Sequence, residues 1–198
     1  NILRGERNSE GDVLREASAI VARADGLVFA NFSVVDIDRL NSFHRVAKDT
    51  DRRLAISPRQ AYVLNKLKHK GEVASLLTGK TLCVFKKEKS QYEKWEKMIF
   101  KEMECVTVSD AKKEQNKWIL VSSIYDLSEL FEIRPTSGSV FLYSTSEPFN
   151  EEMEEDYQRL RNWLEHFGLP LYTVHSSGHM MPLDLRKAVA QMSPKRLF

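Results

Sequence analysis

The residues best suited to chemistry lie in the run Val174-His175-Ser176-Ser177-Gly178-His179. Two imidazoles four apart flank two hydroxyls and a glycine, and Pro182, a favoured first residue of a helix, follows closely. Free N–H groups at a helix start attract anions, and imidazoles beside them can hold or protonate a phosphate. A His-x-x-x-His pair also chelates a metal when both rings share one helix face. The central glycine argues against a helix here, and no carboxylate or cysteine adjoins the pair. Three readings stand side by side for this loop: an anion-holding or active-site loop, a metal site, and a structural turn.

Hydroxyls recur elsewhere at comparable places. Ser33, Ser57, Ser122 with Ser123, Ser144-Thr145-Ser146 and Ser176-Ser177 each follow an apolar run that reads as a strand. Open α/β sheets bind ligands at the carboxyl ends of their strands, so these serines either form an anion-binding rim or simply cap the helices that follow. Lys80, Lys86, Lys87, Lys89, Lys94, Lys97 and Lys101 form the densest basic region. Interleaved Glu88, Glu93, Glu96 and Glu102 favour a solvated, salt-bridged face over a track for a polynucleotide. Ala74 to Thr81 imitates the tail of a phosphate-binding P-loop, but the strand follows it instead of preceding it, which removes the mechanism. The acidic run Glu151 to Asp156 complements a helix start, and Trp95, Trp118 and Trp163 fit core positions better than base-stacking ones. Cys83 and Cys105, set among apolar residues, read as inert, buried thiols.

The elements that must position these residues alternate between helical and extended periodicity. Strands are expected at 27–30, 53–56, 81–85, 118–121, 140–143 and 171–174. Helices are expected at 12–23, 35–48, 60–68, 91–104, around 126–131, at 150–167 and at 182–191. Ser33 reads as the N-cap of the second helix with Asp36 three residues on, and Gly168 as a C-cap signal. The stretch between 105 and 117 reads as polar connection. Alternating strands and helices predict an α/β fold, three-layered α/β/α with a mostly parallel sheet.

Composition bounds the rest. The chain has 198 residues, 42% of them hydrophobic, and 30 Lys+Arg against 28 Asp+Glu for a net charge of +2. That length suits one domain or slightly more, and the apolar fraction excludes disorder. Near-neutral charge excludes binding nucleic acid by bulk charge alone, so any such grip must be local. No run of about 18 apolar residues exists, and Asn1 to Arg7 lacks a secretory stretch, so the expected compartment is the cytoplasm. The start without methionine, and the close on Ser193-Pro194-Lys195-Arg196-Leu197-Phe198 just after a helix, lead us to expect an excised piece of a larger protein.

The loop 174–179, with Asp184-Leu185-Arg186 and Ser193 to Phe198, resembles the closing segment of the β-CASP region in metallo-β-lactamase-fold nucleases of the RNase J and cleavage-and-polyadenylation-factor type. The resemblance extends through Glu147 to Met153, Arg161-Asn162-Trp163-Leu164, and Ala24 to Val28 with Asp36 to Leu40, which are similar to archaeal exonucleases or mRNA 3′-end-processing factors. It implies an RNA-cleaving hydrolase whose two zinc ions lie in a separate metallo-β-lactamase domain, where metal-bound hydroxide attacks the scissile phosphate. His179 matches the family's second β-CASP motif, the catalytic histidine at the reacting phosphate. His175, Ser176, Ser177 and Gly178 match the phosphate-holding loop around it, with Ser33 and Ser144 as further RNA-binding candidates.

The parent fold's His-x-His-x-Asp-His zinc motif is absent from this sequence, so no metal is expected here, and the zinc is implied for the parent enzyme alone. The division expected is a β-CASP-like domain over 1–175, then 176–198 as a loop, helix and strand start leading back to the metallo-β-lactamase domain. Partners implied are RNA, that domain of the same chain and a second copy in a homodimer, with no membrane. The fragment alone is expected to be inactive. The alternatives are a non-catalytic RNA- or anion-binding module and a domain of an inactive processing-complex subunit.

Overall fold

A computed structural model describes residues 9–176 and 182–196. Among them lie seven strands: β1 (Val28–Asn31), β2 (Arg53–Ile56), β3 (Leu82–Lys86), β4 (Cys105–Thr107), β5 (Trp118–Val121), β6 (Val140–Tyr143) and β7 (Leu171–Thr173). They form one sheet in the order β4-β3-β2-β5-β1-β6-β7, parallel throughout. The helices are α1 (Glu10–Val21), α2 (Ile37–Asp49), α3 (Pro58–Lys66), α4 (Gly71–Leu77), α5 (Lys94–Glu102), α6 (Val108–Lys113), α7 (Glu129–Ile133), α8 (Glu151–His166) and α9 (Pro182–Met192). The expected α/β class and the three layers are what the chain forms. Among the described residues no helix is long and apolar enough to cross a membrane.

Alternation along each strand builds two cores. Val28, Ala30, Leu54, Ile56, Ile119 and Leu142 face one way, and Leu27, Phe29, Ala55, Leu120 and Phe141 the other, as the two-residue period of a strand requires. The first face is covered by α1 to α5 through Val13, Ala17, Phe43, Val46, Leu64, Val73 and Ile99. The second is covered by α6 to α8 through Ala111, Leu130, Ile133, Leu160 and Leu164. Each fully buried aliphatic or Phe side chain contributes roughly 1.5–3 kcal/mol, so both faces need their helices.

The split of helices between faces follows from chain direction. From β1 the chain steps through β2 and β3 to β4 at one edge, then returns to insert β5 between β2 and β1, and finally steps outward through β6 to β7. Parallel crossovers are right-handed in about 98% of cases, so steps in opposite directions lie on opposite faces of the sheet. At the carboxyl edge, neighbouring strands therefore send the chain to opposite faces on both sides of β5, between β1 and β6, and at the edge pair β3–β4. Such divergences open crevices where α/β proteins hold ligands.

Local signals set the element ends. Ser57 caps α3 in a reciprocal box with Gln60, Asn150 caps α8 by accepting from the Met153 N–H, and Gly168 takes φ of 63° just past α8. Gly26, before β1, lies so close to the neighbouring connection that an added Cβ would stand 2.7 Å from the Ser139 backbone nitrogen. Two expectations need correction. The stretch after α5 is not plain connection, because Cys105 to Thr107 pair with β3 as an edge strand and Thr107 caps α6. The cap of α2 is Asp36, whose Oδ1 accepts from the Arg39 N–H at 2.9 Å, whereas Ser33 contributes its carbonyl to the preceding turn.

Candidate functional site

The serines after the strands divide between two crevices instead of forming one rim. Ser33, Ser144 and Ser176 belong to the ends of β1, β6 and β7, which are neighbours in the sheet. Ser57, Ser122 and Ser123 belong to the ends of β2 and β5. The hydroxyls of Ser57 and Ser123 are engaged locally: Ser57 caps α3 and Ser123 donates to Asp126 at 2.8 Å. For these two residues capping is the role observed.

Between β1 and β6 the crevice is filled by a charged network. Arg39, only 2% exposed, donates from Nε to Glu10 Oε1 at 2.8 Å and from Nη2 to Glu10 Oε2 at 3.1 Å, a fork-to-fork pairing of guanidinium and carboxylate. Its Nη1 donates to the carbonyl and the hydroxyl of Ser144, at 2.7 and 2.6 Å. Ser42 donates to Glu10 at 2.9 Å. The Ser144 hydroxyl in turn donates to the Val174 carbonyl, so this buried side chain spends its donor on tying β6 to the residue before His175. That commitment leaves the Ser144 proton no role toward a phosphate in this arrangement.

Electrostatics follow the same wiring. Burial disfavours the Glu10 carboxylate, but hydrogen bonds from Arg39 and Ser42 outweigh it and hold the carboxyl below its ordinary value. Burial, then the nearby Arg39 guanidinium, lower the His175 imidazole below its ordinary value; the Ser144 backbone, Asp36 and Glu10 oppose this only in part. His175 is thus a neutral imidazole at neutral pH, able to donate from one nitrogen and accept at the other. Ser176 is half-buried beside it and Ser33 is exposed. Ser177, Gly178 and His179 lie outside the described residues, as do Met180 and Met181.

Beside β5 the second crevice is open, a cavity of about 550 Å³ bounded by the ends of β1, β2, β3 and β5 and by α5. Tyr92, Trp95 and Pro58 form apolar wall, and Tyr125 stands at the rim. Three of the seven lysines singled out in sequence are tied to this region. Lys86 sits 5.3 Å over the rings of Tyr92 and Phe100, Lys87 pairs with Asp126, and Lys89 pairs with Glu96 at 2.6 Å. Lys80, Lys94, Lys97 and Lys101 are exposed, as a solvated face would have them. Trp95 is half-buried and lines the cavity, edge-on to Tyr62 with ring centres 5.5 Å apart, so it is neither plain core nor a bare platform.

Cys83 is buried and its thiol is pushed up to about 12 by that burial, an inert group; Cys105 is half-buried and raised by the same cause. Among the described residues no group of three or more His, Cys, Asp and Glu side chains is placed to hold a metal ion. No protein-family model matches the chain, and no curated protein matches it.

Arg39 and Glu10 were missed as site residues by sequence reasoning, although each carries a signal. Arg39 shares the stripe of Phe43 and Val46 on α2, and Glu10 that of Val13, Ala17 and Val21 on α1. A charge on an apolar stripe marks a side chain in need of a partner; here Arg39 is buried, and the Glu10 carboxylate that pairs with it stays partly exposed.

Proposed function

We propose that the chain is the RNA-binding, β-CASP-type portion of a zinc-dependent ribonuclease, with the loop 175–179 presented to a phosphate held at a metal centre in another domain. The observation that carries this reading is the setting of His175. A histidine of the His-Ser-Ser-Gly-His segment follows the edge strand β7 at the carboxyl edge of a parallel sheet. It is kept neutral there, beside a buried guanidinium that braces the chain just before it. The bracing is what a phosphate-gripping loop needs, because a side chain misplaced by about 1 Å loses most of its catalytic effect.

When bound, the metal centre supplies an activated hydroxide. The chain's own residues do the rest. His175 offers a neutral imidazole as donor or acceptor toward RNA, Ser176 and Ser177 offer hydroxyls, and Gly178 lets backbone approach the phosphate. His179 stabilises or protonates at the reacting phosphate. The segment 176–198 leads back toward the metal-bearing domain, and α9 leaves Leu183, Leu185 and Met192 exposed for such a neighbour.

Cleavage assays on the whole parent protein and on this chain test the reading. In the parent, His179→Ala should cut the single-turnover rate on single-stranded RNA by roughly 10²–10⁴, the range for a general acid or base, while RNA affinity changes less than about threefold. The 198-residue chain should bind that RNA and cleave none at any zinc concentration. Cleavage by the isolated chain, or a parent indifferent to His179→Ala, sinks the proposal. Binding without cleavage in the parent leaves the non-catalytic RNA-binding module instead.

A further inference from the structure

We propose that the open cleft beside β5 is a binding site for one unstacked nucleobase. Its strand-borne form, a base of single-stranded RNA, rests on the RNA reading above. The cleft lies where strands β2, β5 and β1 send the chain to opposite faces of the sheet, and its volume of about 550 Å³ is that of a small-ligand site. Its walls offer what a flat heteroaromatic ring requires. Tyr125 at the rim is 81% exposed and, among the described residues, contacts no other ring, while Trp95, Tyr92 and Pro58 form apolar wall in the same cavity. Every base has two π faces, so an exposed aromatic and an apolar wall in one cleft form a stacking arrangement indifferent to sequence.

The polar lining argues for the same ligand. Gln60, 1% exposed, lines the cleft at the N-terminus of α3. The Ser57 N–H donates to Gln60 Oε1 at 3.1 Å, which fixes the amide's orientation and leaves Nε2 without an acceptor among the described residues. Buried side-chain donors are nearly always satisfied. The carbonyl and ring-nitrogen edge of a base supplies the planar acceptor that a Gln amide recognises.

Charge narrows the choice further. Arg59, Lys87 and Lys89 are balanced by Glu93, Glu96 and Asp126, and two of the cations are already paired. A polyphosphate or other strong anion finds no surplus charge here, whereas an uncharged base does not need one. Exposed Arg59 at the mouth suits the single phosphate that follows a base.

The test uses the 198-residue chain with two probes, a single-stranded RNA decamer carrying 4-thiouridine and a nucleoside monophosphate at millimolar concentration. Irradiation of the decamer complex should cross-link peptides containing Tyr92 or Tyr125. Tyr125→Ala should weaken decamer binding by about 5- to 150-fold, the span that base–aromatic stacking supplies. Gln60→Glu, which keeps the capping box and replaces the donor by an acceptor, should weaken it too, with the circular dichroism of both variants unchanged. If only the monophosphate binds, with the same losses in both variants, the cleft takes a free nucleotide. A decamer bound at wild-type strength by both variants and cross-linked elsewhere overturns the cleft while the RNA reading stands. A chain that binds no RNA anywhere overturns the RNA reading, and failure of the monophosphate as well then overturns the cleft.

Discussion

Where β1 and β6 send the chain to opposite faces, Arg39 and Glu10 fill the gap, and Ser144 ties it to the residue before His175. Beside β5 the same topological divergence is left open and walled by Tyr92, Trp95 and Pro58. The filled crevice spends its polar groups internally: each nitrogen of the guanidinium has an acceptor in Glu10 or Ser144. The open crevice keeps an amide donor unspent at Gln60 and a ring exposed at Tyr125. One sheet edge thus carries both a closed charged network and an open cleft, and the difference lies in two charged residues on the stripes of α1 and α2.

The largest effect should come from breaking the brace. Glu10→Ala strands a buried guanidinium, an event costing about 3–5 kcal/mol. Because the Glu10 side chain is itself 38% exposed, the lower figure applies, a fall in melting temperature of roughly 6–12 °C for a chain of this size. Arg39→Met leaves only that half-exposed carboxylate, which water can reach, and should cost clearly less. The double variant Arg39→Met/Glu10→Leu strands no charge and should recover most of the loss. Equal losses in the two single variants would mean that the pair is not the unit holding this crevice. Ser144→Ala comes next, at about 1–3 kcal/mol in urea unfolding, since it removes the donor to Val174 and one acceptor of Arg39.

A smaller, pH-dependent effect separates the members of the brace. The folded-state pKa of His175 is depressed, so the folded chain binds fewer protons there than the unfolded one. The associated stability is complete above the ordinary value of 6.5 and is lost as pH falls through the folded value. Glu10 is also depressed, and its contribution is present above 4.5 and lost below that, through its own folded value. Urea midpoints followed from pH 7 to pH 3 should fall in two stages. His175→Gln should shrink the upper stage, which it shares with His44, also lowered by burial, and Glu10→Gln should shrink the lower, which it shares with Glu96, Glu104 and Asp110. An upper stage untouched by His175→Gln would place that proton elsewhere.

How much of this was readable beforehand depends on whether a feature is local. The bounds of β2, β5 and β6 match the apolar runs, because 53–56, 118–121 and 140–143 are flanked by turn residues and buried in mid-sheet. β4 escaped notice because Cys105 to Thr107 is three residues long and gains strand character only from its pairing with β3. At α2 both Ser33 and Asp36 are good caps, and the chain needs the turn closed by the Ser33 carbonyl before the helix can start. The loop 175–179 was legible from composition, whereas its brace joins residues 29 and 105 positions apart. Periodicity places Arg39 and Glu10 on apolar stripes, but only the order of strands in the sheet brings them together.

The smallest effect is expected at the rim of the open crevice, and its smallness is the point. Tyr125 is largely exposed and holds no ring partner among the described residues, so Tyr125→Ala should change folding stability by no more than about 0.5 kcal/mol, as surface substitutions do. Trp95→Ala provides the contrast from the same cavity. Its ring is half-buried against Tyr62, and losing that edge-on contact costs about 0.5–1.5 kcal/mol beyond the lost area. Wall and rim should therefore separate in a thermal melt although both line the same cavity. A Tyr125→Ala loss as large as that of Ser144→Ala would mean that the ring is packed into the cleft as core. The two crevices would then differ only in what fills them, since a ring committed to the core cannot also stack on a base.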